Sequence, residues 1–304
     1  MTIAVRILVV GLLVLGGVAC SRPDEKGSAV TGRQGVAIAS FGFSESITMA
    51  EIYSQAVEAA GIPVQRVTEL GSREIVEPAL EQGKVDLVPE YLGTALSFLD
   101  PGSTGDRAST LDRARNAFAS RGSVLLTPTL AQNQNGIVVS RATADRLGLA
   151  KISDLQPVAD GLVFGGPPEC PERPFCLPGL ESLYGLRFKE FKALDAGGPL
   201  SVGALEGNEV DVALLFTSDG HLDGDQFVLL QDDRGLQPPD NLVPVVRKEA
   251  VDRFGARLTQ AVDRVSLSLH TKDLTELNRR VSIDGVKPAR AATDWLRSRG
   301  LVRT

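Results

Sequence analysis

One eight-residue phrase occurs twice in this chain, ungapped and 125 positions apart. Ala79–Asp86 reads ALEQGKVD and Ala204–Asp211 reads ALEGNEVD, five of eight residues being identical. Each copy has the form of a helix end, a turn and a buried strand. Five residues past each Asp stands an aromatic, Tyr91 in the first copy and Phe216 in the second. Upstream, Gly35–Ala39 and Gly161–Gly165 are both short apolar strands that run into loops. Helix–turn–strand phrases are common, so a chance match is the competing reading. Taken as a true duplication, the phrase predicts two similar α/β lobes with a ligand held between them.

Strands alternate with helices through the first copy, which predicts a mostly parallel sheet flanked by helices. Val36–Ala39 is a strand, and Ser44 to Ser46 offers an N-cap and a first-turn carboxylate. Met49, Ile52, Tyr53, Ala56, Val57 and Ala60 follow at helical spacing, with Gly61 and Pro63 as the stop. Tyr53 belongs to that apolar stripe and is assigned to the core. Val64–Thr68 reads as the second strand and Val85–Val88 as the third. Between them Gly71 and Ser72 open a helix that Pro78 kinks or delays. Ligands of such sheets sit beyond the carboxyl ends of the strands. Ser40–Ser46, Gly71–Ser72 and Glu90–Thr94 are therefore the expected site loops, with backbone N–H groups available to an anion.

The polar run Ala131–Gly136 between two apolar strands reads as a crossing between lobes, followed by a strand at Ile137–Val139. Asp232–Asn241 is the return path, leading to a strand at Val243–Val246. Closing helices are expected around Arg253–Leu267, Leu274–Val281 and Ala289–Arg297.

Charge and cysteine content narrow the function. The net charge is −6 and no Lys/Arg-rich run occurs, which disfavours nucleic acid. Arg6 precedes a short apolar stretch that ends in small residues at Cys20, the form of a secretory signal. That ending resembles a bacterial lipoprotein signal, with Cys20 as the lipidated N-terminus and residues 21–34 as a polar tether. In an oxidising compartment the remaining cysteines, Cys170 and Cys176, are expected to form a disulfide inside a Pro-rich loop. His221 and His270 are the only histidines, so two Cys and two distant His give no expected metal site. No cofactor motif, nucleophile elbow, HExxH helix or P-loop is present, and the chain is not read as an enzyme. Glu45, Glu90, Glu169 and Asp219 are candidates for a carboxylate pair, but carboxylates beside a cleft more commonly orient side chains or cap helices.

The phrases Asp86–Thr94 (DLVPEYLGT), Ser153–Leu155, Gly179–Leu180 with Tyr184–Leu186, and Thr217–Gly220, in this order, resemble solute-binding proteins of bacterial osmoprotectant ABC transporters, the glycine betaine/choline/carnitine group. The resemblance spans Val36 to Leu301. It implies a two-lobed type II periplasmic binding protein with two crossing strands at the hinge. Lobe 1 would comprise residues 35–130 and 238–304, and lobe 2 residues 131–237. In relatives a cage of tyrosines holds the quaternary ammonium, while a basic side chain and a Thr hold the carboxylate.

Carried over, the resemblance makes Tyr91 a cage tyrosine, Phe216 a second cage aromatic, Thr94 the carboxylate-binding threonine and Arg173 the carboxylate-binding arginine. The chain departs from the pattern at Asn135 and Asp240, which replace tyrosines, and at Phe41, which replaces a lysine. Asp240 is a candidate for favouring a cation without a carboxylate, such as choline. The expected ligand set is Ser40, Phe41, Phe43, Ser72, Tyr91, Thr94, Gln134, Asn135, Arg173, Phe216, Thr217 and Asp240. The implied role is a monomeric, extracytoplasmic lipoprotein anchored to the cell membrane. It would capture a small osmoprotectant and deliver it to the permease and ATPase of an ABC importer. The incomplete cage keeps a second ligand class open, a polar non-quaternary or aromatic compound.

Overall fold

The computed structural model describes residues 34–102 and 105–303. The described residues begin with β1 (Val36–Ala39), α1 (Ser44–Ala59), β2 (Val64–Val67), α2 (Arg73–Glu81), β3 (Leu87–Tyr91), α3 (Leu92–Leu99), α4 (Arg107–Ala119) and β4 (Ser123–Leu125). The chain continues through β5 (Asn135–Ser140), α5 (Arg141–Leu147), β6 (Val163–Gly166), α6 (Leu177–Tyr184), β7 (Glu190–Ala193), α7 (Pro199–Glu206), β8 (Val212–Phe216) and β9 (Phe227–Leu229). It returns in β10 (Leu242–Arg247) and ends in α8 (Lys248–Phe254), α9 (Ala256–Ser268), α10 (Thr271–Ser282) and α11 (Pro288–Ser298).

These strands form two sheets on one plan, ordered β2-β1-β3-β10-β4 and β7-β6-β8-β5-β9. In the first, β1 is parallel to β2 and β3, while β10 is antiparallel to β3 and β4. In the second, β6 is parallel to β7 and β8, while β5 is antiparallel to β8 and β9. Each sheet thus has four strands pointing one way and one reversed. The reversed strand is in both cases the one delivered after the chain has crossed from the other sheet. Where the crossing segments meet, Gln132 and Asn241 form an isolated antiparallel bridge. This is the two-lobed type II periplasmic-binding-protein fold, each sheet flanked by helices.

The doubled phrase has one structural job in both lobes. Gly83 (φ 71°) and Asn208 (φ 54°) occupy the same place in the two copies, just past the ends of α2 and α7. Gly adopts this left-handed conformation without a steric penalty, and Asn is among the residues that tolerate it best. The turn that results is closed alike in both copies. Lys84 N donates to Ala79 O at 2.9 Å, and Glu209 N donates to Ala204 O at 2.8 Å. The invariant Asp then fastens the neighbouring strand, its Oδ2 accepting from Ala37 N at 2.8 Å in one lobe and from Val163 N at 2.9 Å in the other. Leu80, Val85, Leu205 and Val210 are buried.

Several boundaries differ from the sequence reading. The third strand runs on to Tyr91 because β10 pairs with it to the end, Leu242 opposite Tyr91. α3 starts at the next residue, so Glu90–Thr94 is a strand end and a first helical turn rather than a loop. The helix expected over Arg253–Leu267 is two helices divided at Gly255, whose φ of 56° no helix allows. α1 packs against α9, α10 and α11. Tyr53 lies in that core, fully buried, with its hydroxyl 3.0 Å from Ser266 Oγ.

Candidate functional site

A cleft of about 650 Å³ lies between the lobes, at the carboxyl ends of their central strands. Tyr91 ends β3 and Phe216 ends β8, so the two copies of the repeat deliver one ring each. Phe43, just before α1, stands between them. Its ring centroid is 5.9 Å from that of Tyr91 and 5.0 Å from that of Phe216, both tilted. Phe41 stacks on Phe43 at 5.9 Å with the planes 4° apart. Aromatic faces of this kind attract a cation through their quadrupoles without needing a hydrogen-bond donor from it.

The Tyr91 hydroxyl is committed elsewhere. It donates to Glu45 Oε1 at 2.7 Å. Burial, and then the Glu45 carboxylate, raise its pKa, so the side chain stays a neutral phenol that presents its ring. Glu45 sits in the first turn of α1 and is buried. Its Oε1 also accepts from Asn133 Nδ2 at 2.8 Å, and its Oε2 from Ser218 Oγ at 2.5 Å and Asn278 Nδ2 at 2.6 Å. Four donors from four chain regions therefore converge on one carboxylate. No Lys, Arg or His forms an ion pair with it among the described residues.

A second buried group of charges lies along α2. Arg73 makes a fork to Glu90, Nε to Oε1 and Nη2 to Oε2 both at 2.8 Å, and Nη2 also reaches Thr94 Oγ1 at 3.2 Å. Burial alone would lower the Arg73 pKa, but Glu90 outweighs it and the guanidinium remains charged. Glu77, one turn on, is buried beside Glu90, and its Oε1 has no hydrogen-bond partner among the described residues. Burial and the Glu90 charge hold its carboxyl protonated. Asp240 Oδ1 accepts from Gly93 N at 2.7 Å and Thr94 N at 3.2 Å, which caps the start of α3. Burial pushes the Asp240 pKa up to about 7, against the lowering effect of the Thr94 N–H and Arg73.

Arg173 lies at the mouth of the cleft, inside the loop closed by the Cys170–Cys176 disulfide (Cα–Cα 5.3 Å). Its N–H donates to Cys170 O and its carbonyl accepts from Cys176 N. Across the cleft its Nη2 meets Glu74 Oε1 at 2.6 Å, and its Cζ lies 5.2 Å from the Phe98 ring centroid. It joins the lobes in this conformation.

Of the expected ligand residues, Phe41, Phe43, Ser72, Tyr91, Thr94, Asn135, Arg173, Phe216 and Asp240 line the cleft. Ser40, Gln134 and Thr217 do not. Ser40 is fully buried and its Oγ accepts from Glu69 N. Gln134 Nε2 donates to Pro238 O at 2.6 Å, which ties the two crossing segments together, and Thr217 Oγ1 accepts from Gln134 N at 2.9 Å, which fastens the end of β8 to the first of them. Sequence reading missed Arg73 as a cleft residue. The signal available was a basic residue in the first turn of a helix, where the dipole disfavours it. Cys20 lies outside the described residues. Among the described residues no helix is long and apolar enough to cross a membrane.

The fold and the cleft have known counterparts. A glycine betaine-binding protein of Escherichia coli, YehZ, is 28% identical over 84% of this chain and 88% of its own length. A glycine-betaine-binding protein of Pseudomonas aeruginosa is 31% identical over 86% of each chain. A crystal structure of a glycine betaine/carnitine/choline ABC transporter protein superposes with a TM-score of 0.70 at 24% identity, covering 88% of this chain and 99% of the other, a likeness of fold. Residues 34–298 match the profile of the substrate binding domain of the ABC-type glycine betaine transport system. The chain belongs to that family, OpuAC.

Proposed function

We propose that this substrate-binding protein captures a small quaternary amine, such as glycine betaine, carnitine or choline, in the inter-lobe cleft and delivers it to its permease. The observation that carries the reading is the convergence of Phe43, Tyr91 and Phe216 at centroid distances of 5.9 and 5.0 Å. Two of the rings carry no hydroxyl, and the third has its hydroxyl tied to Glu45. They offer a trimethylammonium group faces instead of hydrogen bonds, which is what such a group can use. The relatives named for glycine betaine support the same class. Membership of a transporter family makes the chain a carrier rather than an enzyme.

In this reading residues 35–130 with 238–304 move against residues 131–237 about the crossing segments, and the protein acts as a monomer outside the cytoplasm. Lipid attached at Cys20 would anchor it to the membrane, with an ATPase completing the importer. Titration calorimetry with glycine betaine, carnitine, choline and proline betaine tests the ligand class, and no heat with any of them would sink it. Phe216→Ala should weaken binding by roughly 2–30-fold, the worth of one aromatic face at about 0.5–2 kcal/mol. Failure of Cys20→Ser to release the protein from membranes would remove the anchor from the proposal.

A further inference from the structure

The cleft is longer than a trimethylammonium head needs. Tyr91, Thr94 and Phe98 all line it, at a spacing that puts them on one face of α3. Phe98 therefore stands two helical turns from Tyr91, about 10 Å along the helix. At that end the lining is largely apolar, with Phe98 and Pro101 on one side and Pro168, Pro174 and Phe175 of the disulfide loop on the other. Asn135 connects this region with the aromatic cluster. It pairs with Phe216 between β5 and β8, and its Nδ2 donates to Phe175 O at 3.2 Å. A ring at position 135 would stand between Phe216 and Phe175, whereas the shorter asparagine leaves the passage open. Gln237 Nε2 also donates to Phe175 O, at 3.0 Å, and the Cys170–Cys176 bond closes the loop, so this wall is held in place before a ligand arrives. The charge of Arg173 is matched by Glu74, and its guanidinium lies over the Phe98 ring. Glu169 and the exposed Glu172 also reach the lining. The whole cleft, about 650 Å³, falls within the range of about 300–1,000 Å³ that encloses drug-sized molecules. A trimethylammonium head with a short tail fills only part of it.

We propose that Phe98, Pro101, Pro174 and Phe175 form a second, apolar subsite, so that the cleft takes quaternary amines carrying an alkyl or aryl arm more tightly than small ones. The position of the ammonium rests on the function proposed above; the apolar subsite does not. With its head against Phe43, Tyr91 and Phe216, such a ligand lays its arm past Asn135 along the face of α3. The arm needs no hydrogen bond from these walls, and its gain comes from leaving water. Loss of one aromatic side chain at position 135 thus lengthens the cleft as well as thinning its cage.

The test is calorimetry with tetramethylammonium, butyltrimethylammonium and hexyltrimethylammonium. Affinity should rise by up to about fourfold for each added methylene, the value for full burial. In Phe98→Ala the ratio of hexyl to tetramethyl affinity should fall by roughly 2–10-fold, the worth of one aromatic contact. Phe175→Ala, on the opposite wall, makes the same comparison should the first variant not fold. Benzyl alcohol is the probe without a charge. It should raise the Tm of wild type and raise that of the variants less. An affinity that does not grow with chain length, or a ratio unchanged in a folded variant, overturns the subsite. If none of the ammonium ions binds, the quaternary-amine reading fails and benzyl alcohol still decides the subsite. Equal Tm shifts in wild type and variant, or none in either, would then overturn it.

Discussion

Glu45→Gln is the sharpest perturbation that the structure offers. A glutamine keeps the shape of the side chain but has a single acceptor oxygen, its other terminal atom being an NH2 donor. Whichever way the amide turns, two of the four donors would face that NH2. On the Oε1 side these are the Tyr91 hydroxyl and Asn133, and on the Oε2 side the Ser218 hydroxyl and Asn278. A hydroxyl can rotate and accept, but an Asn Nδ2 cannot. At least one bond is lost, at about 1.5–3 kcal/mol for a charged acceptor, and the rest drop to the neutral range of about 0.5–1.5 kcal/mol. Relief from burying a charge offsets part of this. The expected net cost is about 2–4 kcal/mol, or roughly 1 M in the urea midpoint for an m-value near 3 kcal/mol/M. Glycine betaine affinity should fall as well, since the ring of Tyr91 loses its tether. A midpoint within about 0.2 M of wild type would show that the four-donor cluster contributes nothing and refute the reasoning.

Acid should stabilise the protein through two buried carboxyls whose folded pKa values are raised. The Asp240 contribution is whole below the unfolded value near pH 4 and is lost as the pH climbs through about 7. Glu77 contributes with the same sign. Melting temperature should therefore decline from about pH 5 to about pH 8, and the slope should flatten in Glu77→Gln/Asp240→Asn; an identical slope would contradict the assignment. Replacing Cys170 and Cys176 by Ser should cost about 2 kcal/mol for so short a loop, read as a lower Tm that reductant no longer changes. Gly220→Ala would place a Cβ 2.6 Å from the Arg279 Cα of α10. It should force the lobes apart and weaken ligand binding roughly tenfold, at a cost of about 1–3 kcal/mol. Calorimetry at wild-type affinity would count against that contact.

The parts of the structure legible in the sequence are those with local causes. The strand at Val36–Ala39, the stop at Gly61 and the doubled phrase depend on neighbours within a few residues, and the two-lobed fold follows from them. What was not legible depends on partners far along the chain. Arg73 meets Glu90 17 positions away, and Glu45 gathers donors 46, 88, 173 and 233 positions away. No local periodicity marks such pairs. Tyr91 was expected at the cleft and lines it, yet its place at a strand end is set by β10, whose Leu242 pairs with it from far down the chain. Ser40, Gln134 and Thr217 stand next to true cleft residues in sequence, but they face the loop and the crossing segments that they hold.

The reversed strand in each sheet has a consequence for how the chain acquires its structure. All strands of the second sheet lie between residues 135 and 229, so that sheet is complete within one continuous stretch. The first sheet is not. Its β10, at residues 242–247, fits between β3 and β4, in the interior of the order rather than at its edge. Until it arrives, β3 and β4 have a gap between them and both present unpaired backbone, the condition in which strands find wrong partners. The later-encoded lobe can therefore fold first, as an insert within an unfinished one, and a chain cut short before residue 242 would be left with an open sheet.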